Sequence, residues 1–227
     1  MRIDKTYFLE KCKKIQSILA AEIIEKRPGI CLEKFPGVLQ EIYEKAGYRC
    51  ESSIEDFYKF CGAAQLQWTY KNSEQATLYG YIQIAPLDDL LLGIKNIAVQ
   101  VPKGEEFKNV LWMEDWEDEE IERRKPYKAL EYMDGRGDWV ALLIDETTGA
   151  STLHYLDKFN EIPLLVNFEQ YMQLVFTSYG VIEREYLTQK EFFSDPYAMQ
   201  SNLTALKNIL PMDDFDEVIH EIQKGIK

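Results

Sequence analysis

Along the first part of the chain, apolar residues recur at three- and four-residue steps. Phe8, Cys12, Ile15, Leu19 and Ile23 fall on one stripe, which predicts a helix over residues 4–26, with Glu10, Lys13, Lys14 and Glu25 opposite. Asp4 is placed to cap it and Pro28-Gly29 to stop it. Such a stripe predicts docking onto the body of the protein. A second helix starts near Pro36, has Val38, Leu39, Ile42 and Tyr43 as its apolar face, and ends at Gly47. A third follows Ser52-Ser53, where either serine can cap the free amides with Glu55 or Asp56 three residues on. It carries Ile54, Phe57, Tyr58 and Phe60-Cys61, and Gly62 stops it.

The period then changes from helical to alternating. Leu66, Trp68 and Tyr70 alternate with Gln67 and Thr69, and Tyr79, Tyr81 and Gln83 alternate with Gly80, Ile82 and Ile84, so two strands are expected around a turn at residues 71–74. Pro86 ends the second, and a short helix covers residues 87–91. Ile97, Val99 and Val101 alternate as a strand would, and residues 111–124 fit either a short helix or a loop. Strands over residues 129–133, 139–144 and 151–155, separated by Asp/Gly turns, predict an antiparallel meander. A helix over residues 164–176 follows. The remainder is helical, broken at Pro196 and Pro211, with Asp213-Asp214 opening a last helix that carries Phe215, Val218, Ile219 and Ile222. Helices, then strands, then helices give an α+β order with a mostly antiparallel central sheet, and no parallel doubly wound sheet. The expected organisation is an N-terminal helix docked on the body (1–35), an α+β domain (36–180) and a C-terminal helical extension (181–227).

Composition adds three points. Apolar residues make up 46% of the 227 and include fourteen Tyr and eleven Phe, which fits a packed, aromatic-rich interior. No apolar run is long enough to span a bilayer, and the N-terminus has no secretory pattern, so a cytoplasmic protein without a membrane partner is expected. The formal charge of −13 disfavours direct nucleic-acid binding; it either serves solubility alone or draws a basic partner, and composition does not choose between the two.

The usual signatures of catalysis are missing. There is no G-x-S-x-G elbow and no phosphate-cradling glycine motif. His154 falls in a strand and His220 in the last helix, and both read as structural or exposed. Cys12, Cys31, Cys50 and Cys61 form no C-x-x-C pair and read as buried free thiols. Carboxylates are plentiful, but no spacing announces an acid pair in a cleft. No catalytic residue, metal site or cofactor is therefore expected. The densest charge run, Glu114-Asp115-Trp116-Glu117-Asp118-Glu119-Glu120 with Trp112 just before it, has two readings. One is a solvated face. The other is an aromatic anchor set among acids that meets a basic protein.

Several segments resemble the SUKH superfamily. Ser53-Ile54-Glu55-Asp56-Phe57-Tyr58-Lys59-Phe60-Cys61-Gly62 is similar to its early helix-then-glycine signature, with Cys-Gly where members usually carry Asn-Gly. Gly80-Tyr81-Ile82-Gln83-Ile84-Ala85-Pro86-Leu87-Asp88-Asp89-Leu90 resembles its strand followed by a Pro-Leu helix start. Asp138-Trp139-Val140-Ala141-Leu142-Leu143-Ile144-Asp145, with Thr148-Gly149, looks like its strand–turn–strand, and Asn167-Phe168-Glu169-Gln170-Tyr171-Met172 like its closing helix. The resemblance covers roughly residues 36–180. It implies a binding protein without catalytic residues: a bacterial immunity protein that neutralises a cognate, often nuclease, toxin, or a regulatory or scaffold adaptor like the fungal cell-wall-assembly regulators. With the charge, it makes a basic toxin domain the expected partner, met through Trp112, Glu114, Asp115, Trp116, Glu117, Asp118 and Glu119.

Overall fold

The computed structural model describes residues 3–19, 22–71, 77–92, 118–124, 126–133, 138–157 and 159–225. It opens with helix α1 (Lys5–Leu19) and strand β1 (Glu22–Pro28). The expected helix over residues 4–26 is therefore too long. Ile23 lies on the predicted stripe, but it is β-branched and pairs opposite Trp68 in a ladder, so its burial is satisfied on a sheet. Helix α2 (Pro36–Ala46) begins with Pro36 in its first turn and ends at Gly47 in the left-handed region, φ 80°. Helix α3 (Ser52–Phe60) starts where expected, but neither serine caps it. Glu51 holds the cap position without a side-chain bond, and the Ser53 hydroxyl donates to its carboxylate at 2.7 Å.

Strands β2 (Ala64–Lys71) and β3 (Thr77–Gln83) form an antiparallel sheet in the order β1-β2-β3. Helix α4 (Leu87–Leu92) follows, tied down by Tyr58 and Tyr48, whose hydroxyls donate to the carbonyls of Ala85 and Leu91 at 2.8 and 2.9 Å. After α5 (Asp118–Arg124), strands β4 (Tyr127–Met133), β5 (Asp138–Ile144), β6 (Ser151–Leu156) and β7 (Glu161–Pro163) form the expected meander as a second antiparallel sheet, with the short β7 unanticipated. The single central sheet is thus two. They join at one bridge, Ile84 to Glu131, beside the bond from the Ala85 N–H to the Leu130 carbonyl at 2.8 Å.

Helix α6 (Phe168–Thr177) starts later than its apolar pattern suggests, because Asn167 and Gln170 close a capping box. A 3-10 turn (Arg184–Thr188) and short helices α7 (Lys190–Ser194), α8 (Pro196–Met199) and α9 (Ser201–Lys207) lead to α10 (Asp213–Gly225). The last buries Phe215, Val218, Ile219 and Ile222, as its pattern predicts.

One hydrophobic cluster takes side chains from Ile3 through to Ile222. Phe8 of α1 meets Phe176 of α6 edge-on at 5.9 Å, and Phe57 of α3 meets Phe168 at 5.8 Å. Lys11, itself buried, donates from Nζ to Asp214 at 2.7 Å and so ties α1 to α10. The fold is α+β. Among the described residues, no helix is long and apolar enough to cross a membrane.

Candidate functional site

Most of the expected contact run lies outside the described residues: Trp112, Glu114, Asp115, Trp116 and Glu117. Asp118 and Glu119 open α5, where Glu119 is exposed. The other end of that helix is basic. Arg123 and Arg124 both donate to Glu161, at 2.7 and 3.0 Å, and fix α5 to β7. Of the four cysteines, Cys12, Cys50 and Cys61 are buried, and Cys31 is half-buried. His154 sits buried in β6 as expected, with Thr152 at 3.1 Å from Nε2, and burial lowers its pKa. His220 is exposed on α10. Among the described residues, no group of three or more His, Cys, Asp or Glu is placed to hold a metal ion.

What the fold builds instead is a cleft of about 290 Å³ between β2, β3, the ends of β5 and β6, and the segment that follows α6. Its floor depends on close backbone approach. An ideal Cβ on Gly80 would stand 2.2 Å from Trp68 Nε1 and 2.3 Å from the Tyr179 carbonyl. Only glycine leaves room for that carbonyl to accept from Trp68 Nε1, at 2.9 Å. Tyr179 and Gly180 both take positive φ, 56° and 77°, to turn the chain over β3, and the Tyr81 N–H then donates to the Gly180 carbonyl at 3.1 Å.

Behind the floor lies a buried polar network. Arg184 donates from Nε and Nη2 to the two oxygens of Glu131, at 2.9 and 2.8 Å, a bidentate pair. Its remaining N–H groups reach the carbonyls of Gly180, Ile182 and Tyr81. Tyr171 donates its hydroxyl to Glu131 from the other side, and burial with the neighbouring carboxylate holds its pKa well above the ordinary phenol value. Burial alone would depress Arg184, but Glu131 outweighs it and the guanidinium stays charged. This network is saturated within the protein and is therefore positioning machinery.

The cleft's open side is different. Asp138, Glu183 and Glu185 line it beside the rings of Tyr79, Tyr81 and Tyr155. Tyr155 donates to Asp138 at 2.9 Å. Its pKa is raised by burial first, then by Asp138, Glu185 and Asp157, so several carboxylates converge on one hydroxyl. Arg184, the cation lining this cleft, already serves Glu131. The open side thus gathers carboxylates among aromatic rings, one of which (Tyr79) is half exposed. Sequence reading did not find it, because its residues come from five separate segments. The one local signal is Gly80 inside a strand, which marks a close backbone approach.

A larger groove, about 840 Å³, runs between the end of the first sheet, α2 and α4. Ile30, Phe35, Val38, Ile42 and Pro86 make it mainly apolar. On α4, burial and then Asp88 push the carboxyl of Asp89 up to about 6. A carboxyl raised on folding stabilises the fold at acid pH and loses that contribution as pH climbs through about 6. Asp89→Asn is therefore expected to gain about 1–2 kcal/mol at neutral pH, once solvent screening is discounted, and nothing near pH 4. Urea titrations at the two pH values check this. An equal gain at both would mean that charge is not the cause.

No family model matches the chain, and no curated protein or solved structure matches it either.

Proposed function

We propose that the protein is a non-catalytic binding module that neutralises a basic protein, and that its acidic, aromatic cleft takes a lysine or arginine side chain from that partner. The observation that supports this is the convergence of Asp138, Glu183 and Glu185 on one aromatic-walled opening, in a chain of net charge −13. Negative potential steers a basic partner over distance, and a ring face beside a carboxylate holds its cation on contact. The resemblance of several segments to SUKH proteins supports a toxin domain as that partner, with this chain acting as its immunity protein in the cytoplasm. The acidic run from Glu114 to Glu120 carries the same charge sign.

The test is coexpression with the basic toxin domain that this reading expects to be encoded beside the gene. Protection of growth and a co-purifying complex are expected. Glu185→Lys combined with Tyr79→Ala should weaken the complex at least about tenfold by titration calorimetry, the loss of one anchoring contact. A complex of undiminished affinity would move the contact away from the cleft. The absence of both protection and complex would remove the immunity reading.

A further inference from the structure

The ladder between β1 and β2 ends with Pro28 opposite Ala64, but the two backbones stay in contact beyond it. An ideal Cβ on Gly29 would strike the Ala63 carbonyl, and one on Gly62 would strike the Ile30 carbonyl. Gly29 thus meets Ala63, and Ile30 meets Gly62. The next step of the same count sets Cys31 against Cys61. The Cys31 side chain is turned that way. Its thiol donates to the Phe60 carbonyl at 3.1 Å and lies 3.8 Å from the carbonyl of Cys61 itself. A disulfide spans Cα atoms about 4.4–6.8 Å apart, and opposed residues on antiparallel strands stand about 4.5–5.5 Å apart. Both thiols are free in this structure.

The two sulfurs are not equivalent. Cys31 is half-buried and within reach of a solute, whereas Cys61 is 2% exposed at the end of α3. Burial, and after it Cys31, push the Cys61 thiol up to about 12, so it keeps its proton at neutral pH. An accessible thiol beside a shielded one divides the work of oxidation: the first meets the oxidant and the second resolves the product. The other two cysteines are placed differently. Cys12 is fully buried on α1, and Cys50 is buried with the Tyr43 hydroxyl 3.2 Å from its sulfur.

We propose that Cys31 and Cys61 are a redox modification site, which closes into a reversible disulfide on reaction with a small-molecule disulfide. The Cys31 thiolate attacks one sulfur of the small disulfide. That S–S bond breaks, one small thiolate leaves, and a mixed disulfide forms on Cys31. The Cys61 sulfur then attacks the Cys31 sulfur, and its proton passes to the second small thiolate as that leaves. The chain loses two electrons and two protons, and the small disulfide gains both. In a reducing compartment a bond of this kind is transient and reports oxidation. It staples the exit of β1 to the end of α3. Between those points, a 3-10 turn (Leu32–Lys34) and α2 form a wall of the apolar groove with Leu32, Phe35, Val38 and Ile42, so oxidation fixes that wall. Neither cysteine lines the acidic cleft, and the inference does not depend on the binding reading.

The test incubates the full chain with oxidised glutathione, then digests it unreduced and maps the peptides by mass spectrometry. The expected result is a mass lower by two hydrogens and a single link joining the peptides of Cys31 and Cys61. The urea midpoint should rise, because the link constrains the unfolded chain, and dithiothreitol should reverse both changes. Cys31→Ser should lose the link altogether. Cys61→Ser should instead accumulate a glutathione adduct on Cys31 that the wild type does not retain, since no second thiol resolves it. The wild-type map decides the matter even if the buried Cys61 position does not tolerate serine. A wild-type chain that keeps all four thiols free overturns the proposal. So does a lasting adduct on wild-type Cys31 without a link, or a link that runs to Cys12 or Cys50.

Discussion

Arg184→Ala is expected to cost the fold about 3–5 kcal/mol, enough to unfold much of the population of a domain of ordinary stability. The wild-type guanidinium satisfies both oxygens of Glu131 and three backbone carbonyls, at 3% exposure. Without it, the Glu131 carboxyl is left at 1% exposure with the Tyr171 hydroxyl and the Gln83 N–H for partners. Those donors are neutral and cannot replace a cation. The three carbonyls also lose their donor. Urea denaturation followed by tryptophan fluorescence reads the loss. The double variant Glu131→Leu/Arg184→Met separates the causes: it removes the stranded carboxyl and should recover most of the stability. Failure to recover would mean that the carbonyl contacts, and not the ion pair, hold this corner together. Either way, the segment carrying Glu183 and Glu185 is tied to β3 through Arg184, so the cleft's charges are placed by a residue already committed to Glu131 and to the Tyr81 carbonyl.

Local chemistry explains how much of this was legible in the sequence. Helix α2 was readable because Pro36 and Gly47 punctuate it, and α10 because its apolar period has a single solution. The meander was readable from Asp/Gly turns between alternating runs; the Asp145 carboxylate accepts from the N–H groups of Thr147 and Thr148, at 2.8 and 3.1 Å. β1 was missed because Ile23 fits a helical stripe and a strand equally well, and the tie is broken only by Trp68, far along the chain. β7 spans three residues, too few to show a period. Glu131 was hidden for a different reason. In regular alternation it would share the face of Ala129 and point away from Leu130 and Val140. A bulge between Ala129 and Glu131 turns it inward instead, and nothing in the local sequence announces that bulge. Its partner Arg184 lies 53 residues on, in a polar stretch. The cleft inherits the same opacity, since its carboxylates are ordinary surface residues until the fold gathers them.

Gly80→Ala should be nearly as damaging, at about 3–4 kcal/mol, although it adds one methyl group. The added carbon falls within 2.3 Å of the Tyr179 carbonyl and 2.2 Å of Trp68 Nε1. The first is backbone in a turn whose φ angles are already positive, and the second belongs to a fully buried indole. Neither yields cheaply, so the strand and the crossing segment must part. That breaks the Trp68–Tyr179 hydrogen bond and then the backbone bond from Tyr81 to Gly180. Stability and partner affinity are expected to fall together, because the separated segment carries Glu183 and Glu185. Gly37→Ala is the matched control. It lies in the first turn of α2 with nothing within 4 Å of the new carbon, and alanine favours helix, so stability should hold or rise by up to about 1 kcal/mol. The difference between the two glycines is the physical content of the cleft: one is needed only where two stretches of backbone meet. Equal melting temperatures for the two variants would mean that this close approach does not set the cleft's shape.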